Sequence, residues 1–168
     1  MDLENMKLPV FSLFNDRWAL VTAGTLEDYN TMTIGWGQMG SIWGPPHHTR
    51  PVVTVYVSPA RYTHSFLENN EYFTVSFFPE EYRKDLGILG SRSGRDGDKV
   101  ALTALTPVAV PHGVDFEQSE LCFVCKKLYT HQFELDRVPQ EVVDWIYTRV
   151  PPHTMFMGEV VDVIERGE

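Results

Sequence analysis

The sequence predicts a mainly β protein, an antiparallel barrel with helices packed on its rim. Three observations lead there. β-rich runs outnumber helical ones, at about seven or eight to three, and they follow no regular β-α-β order. The run Pro51–Val57 has too many apolar positions to be one-sided and belongs in the middle of a sheet. The stretch Asn30–Trp43 alternates, with Thr31, Thr33 and Gly35 on one side and Met32, Ile34 and Trp36 on the other. That alternation dissolves into Gly37, Gly40 and Gly44. Glycines in a strand mark a bulge, or a place where a ligand or another backbone comes close. Free backbone N–H groups beside Trp36 and Trp43 suit a flat, partly apolar ligand. An edge hairpin whose tryptophans only fill the core fits the same pattern.

A chain of 168 residues is most simply one domain, spanning 1–168. No apolar run approaches the length of a membrane span, and the N-terminal segment has neither the basic start nor the apolar core of a secretion signal. Two cysteines are too few for a disulfide framework, so a reducing cytoplasm is the default. The formal charge of −9 argues against nucleic acid as a partner. Positive charge is nevertheless concentrated: Arg83, Lys84, Arg92, Arg95 and Lys99 share one short segment, and Arg61 stands upstream. Such a cluster suits a small anionic ligand, or it forms a solvated face with Glu80, Glu81 and Asp85.

Taken in order, residues 1–9 read as a loosely held lead-in, Val10–Phe14 as a short strand and Arg17–Ala23 as a stronger one closed by Gly24. Thr25–Tyr29 turns the chain into the Asn30 strand. Gly44-Pro45-Pro46 and His47-His48 make a loop. Adjacent histidines could bind a metal, but no Cys, Asp or Glu accompanies them at ligand spacing, and no metal is expected. After Pro51–Val57, Thr63 is placed to cap a short helix running through Leu67 and stopped by Asn69-Asn70. A helix start beside Arg61 is a phosphate-binding arrangement. Tyr72–Phe78 is the clearest strand. Pro79 with Glu80 and Glu81 opens a helix to Leu89, and Gly90–Asp98 is a charged loop without the spacing of a phosphate-binding fingerprint. Val100–Thr106 is ambiguous.

Pro107–Val110, Phe116 and Glu120–Tyr129 read as further strands. Cys122 and Cys125 sit three apart in the last of these and so on opposite faces, which makes them core residues rather than a redox or metal pair. Val138–Thr148 reads as an amphipathic helix with Val142, Val143 and Ile146 inward, ending before Pro151-Pro152. His153–Ile164 is a closing strand in which Gly158 is the expected bulge and Val161 and Val163 oppose Asp162.

The ordered series Met-Thr-Ile-Gly-Trp-Gly, Ser-Pro-Ala-Arg-Tyr-Thr, Phe-Thr-Val-Ser-Phe with Glu-Glu-Tyr-Arg-Lys, and Ser-Gly-Arg-Asp-Gly-Asp-Lys resembles the flavin reductase-like family of FMN-binding split barrels. The flavoredoxin-like branch is the nearest match. Leu-Cys-Phe-Val-Cys-Lys-Lys-Leu-Tyr and His-Thr-Met-Phe-Met-Gly-Glu-Val-Val extend the likeness over nearly the whole chain. The resemblance implies a Greek-key split β-barrel and a homodimer holding FMN non-covalently near the subunit interface. By the same resemblance, Asn30, Thr31, Met32 and Thr33, with the Ser41, Ile42 and Trp43 turn, lie against the isoalloxazine ring. Arg61, Tyr62 and Thr63 hold the phosphate or ribityl end. The loop carrying Ser91, Ser93 and Gly94 closes over the cofactor, with Lys99 as its cation, and His153 approaches the nicotinamide face. Two departures stand out: Ser58 replaces the arginine many relatives of this branch carry before the proline, and His47-His48-Thr49 lengthens a loop.

A flavin brings its own redox chemistry, so the absence of an evident nucleophile or acid pair in the sequence is consistent with the likeness. Three functions follow as expectations: an NADH- or NADPH-dependent flavin reductase, an electron carrier that keeps FMN and serves a redox partner protein, or a barrel binding another small anion without redox chemistry.

Overall fold

The computed structural model describes Leu3 and residues 5–166; the remainder of the expected lead-in, residues 1, 2 and 4, lies outside them. A helical turn α1 (Val10–Ser12) widens into Leu13–Arg17 and leads to β1 (Ala19–Thr25) and β2 (Asp28–Ile34). There follow β3 (Gly37–Ile42), β4 (Arg50–Val57), α2 (Tyr62–Asn69), β5 (Tyr72–Phe77) and α3 (Arg83–Ser91). The chain continues through β6 (Pro107–Val110), β7 (Gly113–Phe116), β8 (Leu121–Gln132), α4 (Gln140–Val142) and β9 (Thr154–Glu165).

Seven strands form one sheet in the order β2-β1-β5-β8-β9-β4-β3, and β6-β7 is a separate hairpin. Every pairing is antiparallel. The two edges of the large sheet, β2 and β3, are consecutive in sequence and joined only by Gly35-Trp36. The sheet therefore curls until its edges are bridged by the chain itself, which is a split barrel. The glycine-broken stretch expected as one strand is this seam. Gly37 is where it closes on a neighbour, because a Cβ there would stand 2.3 Å from the ring of Phe14.

Alternation sorts the side chains into two cores. Val21, Met32, Ile34, Val55, Phe73, Val75, Phe123 and Phe156 fill the barrel. Leu20 and Phe78 face outward onto Leu86, Leu89, Val100 and Phe116 from α3 and the β7 side. Each large side chain buried in this way contributes about 1.5–3 kcal/mol. Thr22 and Thr31, paired in register on the outer face, satisfy one another through hydroxyls 2.7 Å apart. The carboxylate of Asp115, fully buried, accepts hydrogen bonds from Ser76, Ser119 and Arg166, and so pins the β6-β7 hairpin to the sheet.

Several elements differ from expectation. Val10–Phe14 is helical, because Leu13 and Phe14 are both buried although adjacent, which neighbouring strand residues cannot be against one core. Arg61, not Thr63, occupies the N-cap of α2, and the helix runs to Asn69. The helix expected at Val138–Thr148 begins at Gln140 and opens into a wide turn over Val143–Tyr147, leaving Val142, Val143 and Ile146 only half-buried. The bulges between β8 and β9 fall at Leu128 and Val161. Gly158 pairs with Lys127 beside the first of them. Because Val161 is the extra residue, it is exposed while Val160 and Val163 pack inward.

Candidate functional site

Three segments meet at one mouth of the barrel: the start of β2, the turn into α2, and the end of α3 with the loop after it. They enclose a pocket of about 120 Å³ lined by Asn30, Met32, Ala60, Arg61, Tyr62, Thr63, Leu89, Arg92, Ser93, Gly94, Arg95 and Lys99. Four of these are cations and none is a carboxylate. Eight of the fifteen residues singled out from the sequence are here: Asn30, Met32, Arg61, Tyr62, Thr63, Ser93, Gly94 and Lys99.

β2 directs Asn30 and Met32 inward, on the face opposite Thr31 and Thr33. Asn30 Nδ2 donates to Thr63 Oγ1 at 2.7 Å, joining β2 to the first turn of α2. Among the described residues no side chain caps that helix, so N–H groups of its first turn are left for water or a ligand. Ser58 holds the preceding turn: its carbonyl accepts from Arg61 N at 2.9 Å and its hydroxyl from Ala60 N at 3.3 Å. Arg61 reaches across to donate to Gly90 O at 2.7 Å, and Arg95 donates to Ala60 O at 3.2 Å. The two arginines thereby tie the α2 turn to the α3 loop. Ser93 Oγ accepts from Arg95 N at 3.2 Å and fixes the small turn Gly94–Asp96.

Lys99 is the buried cation of the pocket, only 6% exposed. Its ammonium donates to the carbonyls of Leu89 at 3.0 Å and Arg92 at 3.2 Å, and among the described residues no carboxylate pairs with it. Burial, and secondarily the charge of Arg61, push its pKa down to about 8. An anion entering the pocket would supply the missing counter-charge.

The other expected residues lie elsewhere. Thr31 is engaged with Thr22, and Thr33 Oγ1 donates to Leu86 O of α3 at 2.5 Å. Ser91 donates back to Gly87 O within its own helix. Ser41, Ile42 and Trp43 pair with or follow the start of β4, at the opposite end of that strand from Arg61. His47 and His48 are exposed, and no group of His, Cys, Asp or Glu among the described residues has metal-binding geometry. His153 lies between Trp36, at 4.7 Å between ring centroids, and Tyr147, at 5.7 Å; its Nδ1 stands 3.2 Å from the Tyr147 hydroxyl. Burial and then the charge of Arg61 lower its pKa, keeping the imidazole neutral near pH 7. Arg92 and Arg95, which line the pocket, were visible in the sequence only as members of a basic cluster. Arg83 of the same cluster instead covers the Trp18 ring, 3.4 Å from its centroid.

The fold and the site together are an antiparallel split barrel with a cationic pocket at one mouth. The chain belongs to the flavin reductase like domain family, which matches residues 11–168. Among solved structures it is similar to the FMN-binding protein of Thermus thermophilus, with 25% identity, a TM-score of 0.68, and coverage of 96% of this chain and 77% of that one. The flavoredoxin of Desulfovibrio vulgaris is also similar, with 25% identity, a TM-score of 0.64, and coverage of 89% and 69%. An NADH:FAD oxidoreductase from Streptomyces globisporus, solved with NAD and FAD fragments, shares the fold at 17% identity and a TM-score of 0.61, with coverage of 89% and 74%. No curated protein matches the sequence. Among the described residues no helix is long and apolar enough to cross a membrane.

Proposed function

We propose that the protein binds FMN and reduces it with NADH or NADPH. The observation that carries this reading is Lys99, a buried ammonium held by two carbonyls in a pocket with three arginines and no acid. A phosphate fits that donor set: Arg61, Lys99 and the uncapped start of α2 would hold it, with Asn30 orienting Thr63. The pocket accepts such an end group and is too small for a whole flavin, so the ring extends beyond it. When bound, the flavin supplies the hydride chemistry. This chain's part is to fix the phosphate, cover the ring with apolar side chains and present the neutral His153 beside Trp36. Two buried, unpaired cysteines suit a reducing cytoplasm.

The same reading includes a homodimer. Ser41–Trp43 lies a full strand length, about 25 Å, from the α2 turn. If that turn covers the flavin as the family resemblance implies, it does so from a second copy. A shallow apolar groove of about 810 Å³ lined by Phe11, Trp36, Met39, Tyr56 and Phe133, with Phe11 96% exposed, offers the surface for it. Sedimentation at micromolar concentration checks this, and a monomer holding stoichiometric flavin would refute it.

The carrier function is the second reading, and one observation favours it: Trp36 and Tyr147 already occupy both neighbours' places around His153, so a nicotinamide stacking there must displace a ring. Anaerobic titration with NADH and NADPH separates the readings. Bleaching of bound flavin supports the reductase, a flavin that no nicotinamide reduces supports the carrier, and a protein that binds no flavin defeats both.

A further inference from the structure

Beside the cationic pocket runs a second, larger recess of about 580 Å³, and Arg61 and Arg95 line both. Three further residues of this recess form a chain of polar contacts. Thr154, the first residue of β9, places Oγ1 2.8 Å from Nε2 of His64. His64 Nδ1 stands 3.5 Å from a carboxylate oxygen of Glu68, one turn further along α2. Thr154 and His64 are buried, Glu68 is exposed, and Phe156 meets the imidazole edge-on at 5.4 Å between ring centroids. The carboxylate sets the tautomer: a proton on Nδ1 faces Glu68, which leaves the Nε2 lone pair to accept from the threonine hydroxyl. Burial lowers the imidazole pKa against the opposing pull of Glu68, so the ring is neutral near pH 7.

A hydroxyl, an imidazole and a carboxylate in that order are the parts of a nucleophile, its general base and the acid that orients the base. A peg tying α2 to β9 needs only the hydroxyl and the ring. It needs neither a recess over them nor an acid on the second ring nitrogen. We propose that this recess is a second active site, an esterase for small carboxylic esters that carry a further negative charge, with Thr154 as nucleophile. Thr154 Oγ1 bonds to the acyl carbon while its proton passes to His64 Nε2, and the imidazolium returns that proton to the departing alkoxide. A water then attacks the acyl group, giving a proton to the same imidazole, and the acid leaves as that proton goes back to Thr154. Arg61 and Arg95 line the recess as N–H donors for the oxyanion and for the anionic group of the substrate. Glu68 is a positioning residue that acts through His64. The proposal does not depend on the flavin reading, since Thr154, His64 and Glu68 line this recess and not the phosphate pocket.

The test is hydrolysis of the mono-p-nitrophenyl ester of adipic acid by the full chain, with p-nitrophenyl hexanoate as the uncharged comparison. The parent should release p-nitrophenolate faster from the adipate ester. Acid quenching during turnover should leave an adipoyl group on Thr154, located by mass spectrometry. Thr154→Val and His64→Ala should each slow release about 10²–10⁴-fold. Thr154→Ser keeps the hydroxyl and should retain the activity. Glu68→Gln should lower kcat roughly tenfold with KM unchanged, as loss of a positioning group does. Circular dichroism establishes that each variant is folded. No turnover by the parent, acylation confined to other residues, or a Thr154→Val variant as fast as the parent overturns the site. A folded Thr154→Ser variant as inactive as Thr154→Val does the same, and equal rates on the two esters overturn the anionic substrate class.

Discussion

The imidazole of His153 lies against the indole of Trp36, ring centroids 4.7 Å apart and planes tilted by 49°. The two residues come from the seam of the barrel and from the mouth of the last strand. If this contact shapes the approach of a nicotinamide, His153→Ala retains flavin but slows its reduction several-fold at saturating donor, or raises the donor KM. A displaced positioning group costs rate without touching the transferred atom. Stopped-flow reduction reads this, and identical traces for mutant and parent would return His153 to a packing role.

Arg61→Ala should weaken FMN about ten- to a hundred-fold. A charge-assisted contact contributes roughly 1.5–3 kcal/mol, and Arg61 also ties the α2 turn to Gly90. Calorimetric titration measures the change. Unaltered affinity would take Arg61 out of the site.

Lys99 gives the site a pH dependence with a definite sign. Its folded-state pKa of about 8 is below the ordinary 10.5, so between those values the unfolded chain binds more protons. The ligand-free protein therefore gains stability from this group as pH rises through that window. Flavin affinity moves the other way, because the ammonium that faces the phosphate is lost. FMN binding should weaken from pH 7 to pH 9.5 in the parent, and the slope should flatten in Lys99→Met. A parent profile flat over that range would contradict the assignment.

Cys122 and Cys125 should resist thiol reagents in the native protein. Both are fully buried, and burial raises both thiol pKa values. Alkylation should label neither residue before denaturation and both afterwards. Rapid labelling of folded protein would mean that β8 opens readily.

Gly158→Ala should destabilise the fold without touching the pocket. An added Cβ would stand 2.7 Å from Cys125 Cβ and from the ring of Phe73, both in the barrel core. Overpacking of this kind costs about 1–3 kcal/mol, or roughly 2–12 °C in Tm for a chain of this size. Thermal unfolding followed by circular dichroism checks it, and an unchanged Tm would show that Phe73 yields freely.

The strands were legible because β-branched and aromatic residues at period two leave a local mark: Pro51–Val57 and Tyr72–Phe78 became β4 and β5 nearly residue for residue. Val10–Phe14 misled because a few apolar residues carry no period, and only the barrel end they plug decides their shape. Thr63 looked like a cap by residue type, but its hydroxyl accepts from Asn30 on β2, a partner that local sequence cannot name. The same limit applies to the site. A basic cluster showed that cations were available, yet tertiary contacts chose Arg92, Arg95 and Lys99 for the pocket and sent Arg83 to Trp18. The Trp36–His153 contact left no trace in either segment.

The sheet order has a consequence for how the protein is made. β3 and β4 are hydrogen-bonded to the remaining strands only through β9, which leaves the ribosome after every other strand of the sheet. Asn30 and Thr63, bonded at 2.7 Å, do not depend on that joint, because α2 packs on β1 and β2. A nascent chain carries all twelve pocket residues long before β9 arrives to clasp the halves together. The segments that form the pocket therefore pack against one another without β9, and a lesion confined to β9 parts β3 and β4 from the sheet while leaving the pocket's own contacts in place.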